Sequence, residues 1–107
     1  MPFYMVQFAY TQEAWAALTK HPTDRSEGLR TLAQQLGGKL VSLYYCYGEY
    51  DGLVLVEAPD DTTATAIVLA AVTPGHLKAN QTTKLFTPEE LMEALRKAGG
   101  ASYQAPS

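Results

Sequence analysis

The residues of this sequence that could do chemistry are few, and most lie between Tyr44 and Asp61. Tyr50 and Asp51 sit in the short segment Gly48-Glu49-Tyr50-Asp51-Gly52, between two apolar runs. A carboxylate such as Asp51 can accept a proton, and a phenol such as Tyr50 can donate a hydrogen bond to a substrate oxygen. His76 follows Pro74-Gly75 and titrates near neutrality in its reference state, which suits a general base. Together they make one candidate catalytic set, with Asp51 as base or as the group that orients His76. The competing reading is structural. Gly48 takes a positive φ, Asp51 accepts hydrogen bonds from turn amides, and the Tyr50 ring covers the end of a sheet. The turn preferences of Gly and Asp favour this second reading. His76 fits an exposed loop histidine, and His21, just before Pro22, suggests even less.

A second group could bind rather than react. Gln7 and Glu57 interrupt apolar strands. Buried there, each needs a partner, because an unpaired buried polar group costs ~1–3 kcal/mol. They pair with each other, pair across a subunit contact, or line a small pocket. Tyr44, Tyr45 and Tyr47 offer amphipathic area suited to a subunit interface, and a stacking platform for a planar ligand is the sharper alternative. Arg25 joins the list if the first helix turns over the same end of the sheet. Cys46 has no basic neighbour in sequence to depress its pKa and reads as structural. The ligand-binding candidates are therefore Gln7, Arg25, Tyr44 and Glu57. A single Cys with two His falls short of a Cys-rich structural zinc site. There is no phosphate loop, Ser-His-Asp set or Cys-x-x-Cys. No metal and no cofactor is expected.

Composition narrows the class. The 107 residues are one domain's worth. The formal net charge is −3 and the basic residues are scattered, which argues against nucleic acid. No run approaches the ~18 apolar residues of a membrane span, and no signal peptide is visible. The lone cysteine forbids an intramolecular disulfide and suits the cytoplasm.

The elements that must position these residues follow from periodicity. Residues 3–10 read as a strand. Thr11 caps a helix that His21-Pro22 interrupts and that resumes near Asp24, with Leu29, Leu32, Ala33 and Leu36 on one face. Gly37-Gly38 ends it. Lys39 to Tyr47 and Leu53 to Ala58 form a hairpin. Pro59-Asp60-Asp61 opens a helix with Ala64, Ile67, Val68 and Ala71 buried. Leu77 to Phe86 is a polar fourth strand. Thr87 and Glu90 form a capping box around Pro88, and a short helix follows through Leu91, Met92 and Leu95.

The order is βαββαβ plus one helix, an α+β ferredoxin-like sandwich with a four-stranded antiparallel sheet in the order 4-1-3-2. Residues 1–98 make one domain and 99–107 a flexible tail. One end of the sheet gathers Tyr10, Thr11, the hairpin and His76, and a turned-over first helix adds His21 and Arg25. The first and third strands are apolar on both faces. A second subunit packed sheet to sheet is the expected cover, giving a dimeric α/β barrel.

The set Thr11, Arg25, Leu36-Gly37-Gly38-Lys39-Leu40, Gly48 with Tyr50-Asp51, and Glu57-Ala58-Pro59-Asp60 resembles the GYD domain family, from the first strand to about Leu95. That family of small bacterial and archaeal proteins is similar to the dimeric α/β-barrel superfamily, so the resemblance implies the same fold and a homodimer. This chain departs from the family pattern at Ala14, at Gly52 and in its polar fourth strand. Two functions fit. The first is a homo-oligomeric accessory module that binds a metabolite or a protein partner. The second is a small barrel enzyme, an isomerase or cofactor-free oxygenase, acting on an apolar or aromatic molecule. The residues leave open whether a reaction is catalysed. The expected partners are a second copy and a small molecule, with neither nucleic acid nor membrane.

Overall fold

The computed structural model describes residues 1–106. Its elements run β1 (Phe3–Tyr10), α1 (Gln12–Lys20), α2 (Ser26–Gln35), β2 (Lys39–Tyr45), β3 (Gly52–Glu57), α3 (Asp61–Val72), β4 (Leu77–Leu85) and α4 (Pro88–Gly99). The sheet is antiparallel in the order β2-β3-β1-β4, the ferredoxin-like arrangement.

Caps set the helix boundaries. Thr11 Oγ1 accepts from Ala14 N at 3.1 Å and opens α1. Asp60 Oδ1 accepts from Thr63 N at 2.8 Å and opens α3. Thr87 and Glu90 satisfy each other's backbone amides at the start of α4. The helix expected to be interrupted at His21-Pro22 is two separate helices. Pro22 ends the first at His21, whose amide still reaches Ala17 O at 2.9 Å. A non-helical stretch follows, in which Asp24 Oδ1 takes the Ser26 amide at 2.9 Å. β2 stops at Tyr45, two residues short of expectation; Cys46 N still donates to Asp51 O at 2.8 Å in the same register, and the turn lies beyond that bond.

Period-two alternation divides β1 between two environments. Tyr4, Phe8 and Tyr10 are buried against the helix layer, with Val54, Val56, Leu40, Ala33 and Ile67. Tyr4 is 3% exposed, and its hydroxyl donates to Asp61 Oδ1 at 2.5 Å. That bond, with burial, pushes the phenol's pKa up to about 12. Lys84 Nζ completes the cluster at 3.0 Å from the same oxygen, and the two donors hold the Asp61 carboxyl below its usual range.

The opposite face has no helix on it. Strand register arranges it in rungs: Tyr44, Leu53, Gln7 and Gln81; then Ser42, Leu55, Met5 and Thr83; then Lys39, Glu57, Phe3 and Leu85. The middle of each rung is only half-buried. A bulge at Val41 keeps Leu40 and Leu43 on the helix side, opposite Val56 and Val54. On the helix side of β4, Asn80, Thr82 and Lys84 stay exposed because the helix layer stops short of this edge. The expected polar strand is therefore a polar edge strand.

Two glycines stand at the β2–β3 turn. Gly48 has φ +128° in open space. Gly52 is buried, and a Cβ there would lie 2.6 Å from Phe8 Cζ and 2.9 Å from the Tyr44 carbonyl oxygen. Gly52→Ala should therefore cost ~1–3 kcal/mol through overpacking. Gly48→Val should cost ~1–3 kcal/mol through backbone strain alone. Urea denaturation reads both, and an unchanged midpoint for either variant would contradict the corresponding argument.

Candidate functional site

The antiparallel order brings the end of β1, the β2–β3 turn and the start of β4 together. Thr11 N donates to His76 O at 2.9 Å, and Asp51 N donates to Phe8 O at 2.8 Å. The residues expected at this end are there, in two groups.

Asp51 holds the first. Its Oδ2 does not cap amides of its own turn. It accepts from Tyr10 N at 2.9 Å and from the Trp15 indole at 3.1 Å. The β1–β3 ladder ends at the Phe8–Gly52 pair, so the Tyr10 amide, which faces the β3 side, needs an acceptor outside the regular ladder. The carboxylate supplies it and ties β3, β1 and α1 in one place. Trp15 stands edge-on to the Tyr10 ring at 5.1 Å. An open aromatic hollow beside them is lined by Trp15, Tyr45, Cys46, Tyr47 and Asp51. Tyr45 turns to the helix side, edge-on to Phe8, with its hydroxyl 3.3 Å from that of Tyr10. Tyr47 is fully exposed.

The second group lies between the helices and the sheet. Tyr10, Arg25 and His76 all border an open hollow of about 360 Å³, together with Ala14, Leu18 and His21. The same three border a narrow slot of about 50 Å³ beneath it, lined by Val6, Leu29 and Leu77. The slot is closed to anything much larger than a water or a methyl group. The hollow above it has the size of a small-molecule site. Its polar groups are specific. The Tyr10 hydroxyl is held neutral, its pKa driven up by burial and by Tyr45. Burial, and then the positive charge of Arg25, push the His76 imidazole below its ordinary value. The His76 ring stands 6.0 Å from the Tyr10 ring. Among the described residues the one ion pair is Lys84 with Asp61, so Arg25 faces the hollow without a carboxylate. A cationic fork, a neutral imidazole and apolar walls can bind a carboxylate carried on an apolar body.

The expected catalytic set is divided. No hydrogen bond joins Asp51 to His76, and the two line different hollows. Tyr50 lines neither hollow, and its hydroxyl donates to Gln81 Oε1 at 3.1 Å on the uncovered sheet face. Gln7, Tyr44 and Glu57 share that face. Gln7 and Glu57 are two rungs apart, roughly 13 Å along the strand, so they cannot pair within one chain. Arg25 alone of the four binding candidates reaches the hollow that holds His76. Trp15 and Tyr10 carry much of the site; the sequence placed Tyr10 at this end without a role, and Trp15 did not stand out. The one available signal was an aromatic one turn into the helix that directly follows an aromatic strand end.

The GYD domain family model matches residues 4–95. The chain therefore belongs to that family. No curated protein matches the sequence. Among solved structures it is similar to TTHA0845 from Thermus thermophilus, at 17% identity and a TM-score of 0.53, covering 81% of this chain and 95% of that one. It is also similar to MtbAldR, at 16% identity and a TM-score of 0.54, covering 80% of this chain and 53% of that one. A third likeness is to the hypothetical protein PHS023 from Pyrococcus horikoshii, at 12% identity and a TM-score of 0.52, covering 84% of this chain and 95% of that one. The chain spans about half of MtbAldR. At these identities the likeness is one of fold.

Asp51→Ala should cost ~1.5–3 kcal/mol, the range for hydrogen bonds to a charged acceptor. Trp15 is the only tryptophan, so its emission should change in the same variant at low denaturant. A variant with wild-type stability and emission would show that the carboxylate does not hold this end together.

Proposed function

We propose that this member of the GYD domain family is a homodimeric binding module for a small apolar carboxylate, held in the hollow where Arg25, His76 and Tyr10 meet. The observation that carries the reading is the guanidinium of Arg25 facing an apolar, ligand-sized hollow with no acidic partner among the described residues. The fully catalytic alternative has less support, because Asp51 is committed to the Tyr10 amide and the Trp15 indole.

The dimer reading rests on the uncovered sheet face. Phe3, Met5, Leu53, Leu55 and Leu85 form an apolar field there, crossed by Gln7, Gln81 and Glu57. A second copy packed on this face removes the apolar area from water, at ~25 cal/mol per Å². It also gives Gln7 and Glu57 their hydrogen-bond partners across the contact. An exposed, unpaired Cys46 suits a reducing compartment and supports a cytoplasmic location. Among the described residues, no helix is long and apolar enough to cross a membrane.

Benzoate and phenylacetate are the probes. Each should raise the melting temperature, because a ligand that binds only the folded state stabilises it. Arg25→Gln should weaken binding by ~10–100-fold, the loss of one charged hydrogen-bonding partner. No shift with either carboxylate, or equal shifts in Arg25→Gln, would refute the site.

pH gives a separate check. In the free protein the lowered His76 pKa means that the folded state resists protonation. Its contribution is favourable above the ordinary histidine pKa and is lost as pH falls through that range. A bound carboxylate offsets the charge of Arg25 and raises the His76 pKa. Calorimetric affinity should therefore rise as pH falls below about 6.5. A flat profile would remove His76 from the site.

A further inference from the structure

α4 has an apolar side, and among the described residues nothing of its own chain covers it. Leu91, Met92 and Leu95 are 44%, 49% and 54% exposed, and no residue of the helix is buried. Phe86, in the link from β4, is 64% exposed. A helix of 12 residues is marginal in water on its own, even with a complete capping box. Most helix stability in proteins comes from packing an apolar face, so this helix needs a surface.

The chain on its own is not compact, with α4 and residues 101–106 both exposed. The radius of gyration is 17.5 Å, against about 13 Å for a compact chain of this length. The molecule measures 59 × 35 × 21 Å. Its accessible surface is 7676 Å², whereas a compact monomer of this mass exposes about 5,900 Å². The excess is more than the ~800 Å² that each partner contributes to an ordinary stable interface.

Two features favour a second copy as the occupant. α4 continues from β4, whose Leu85 and Thr83 lie on the uncovered sheet face, so the arm begins at the edge of the apolar field. The charges of α4 are also segregated, with Glu89 and Glu90 in its first turn and Arg96 and Lys97 in its last. Two such arms running antiparallel about a two-fold axis set acid against base, which is the self-complementarity an isologous contact requires.

We infer that α4 is an exchanged arm: it leaves its own body and packs on a second copy, burying Leu91, Met92 and Leu95 beside the sheet-to-sheet contact. This rests on the proposed dimer, and the experiment separates the two. In sedimentation equilibrium on the full chain, Leu91→Glu/Leu95→Glu should weaken dimerisation at least tenfold while circular dichroism shows the body still folded. Among the described residues these side chains support nothing in their own chain, so the variant should fold. Met5→Lys tests the sheet contact separately. Dimers of Leu91→Glu/Leu95→Glu as tight as wild type, beside a monomeric Met5→Lys, would overturn the arm and keep the sheet contact. A wild-type monomer at tens of micromolar would overturn both. A mixed dimer of ¹³C-methyl-labelled and unlabelled chains gives the decisive contact. Nuclear Overhauser effects should run from the Met92 methyl group to methyl groups of the other copy. Effects confined to one chain would overturn the exchange.

Discussion

Alternation along β1 is the constraint on which the rest of the molecule depends. β1 is paired on both sides, so the direction of each of its side chains is set by the ladder and not by local preference. Tyr4, Phe8 and Tyr10 go to the helices, and Phe3, Met5 and Gln7 go to the open face. A slip of one residue would exchange the two sets and undo both the core and the uncovered field. The Tyr4–Asp61–Lys84 cluster at one end of β1 and the Asp51 carboxylate at the other hold the strand against such a slip.

Asp51 also explains why the two hollows are different places. By taking the Tyr10 amide and the Trp15 indole, it fixes the strand end and the first turn of α1 against the β2–β3 turn. Tyr10 and Trp15 then stand as an aromatic wall at 5.1 Å. Asp51, Cys46 and Tyr47 line one hollow and Arg25, His21 and His76 the other. The acidic and basic side chains are thus kept in separate sites. That separation leaves Arg25 available to an anion from outside the chain.

Most of the fold was legible from the sequence because its signals are local. The Thr11, Asp60 and Thr87 caps each involve partners three residues away, and the alternation of β1 and β3 needs no knowledge of neighbours. Pro22 announced an interruption but not its extent. Whether a helix bends or stops depends on what its second half packs against, here Ala33 and Leu29 on the sheet.

The sequence alone determined the element order, the caps, the two-sided apolar strands and the gathering of Tyr10, Thr11, the hairpin and His76 at one end. These follow from periodicity, backbone chemistry and the antiparallel order. Only the tertiary structure decided which side chains meet. Asp51 serves Tyr10 and Trp15 because the β1–β3 ladder ends at Phe8 and leaves the next amide on that side without a ladder partner. Gln7 and Glu57 stay apart because register sets them two rungs from each other. Arg25 reaches His76 because the stretch after Pro22 carries it over the sheet end, and α4 stands clear because β4 is an edge strand that the helix layer does not cover. Each outcome turns on distances between residues far apart in the chain, and no local pattern encodes those distances.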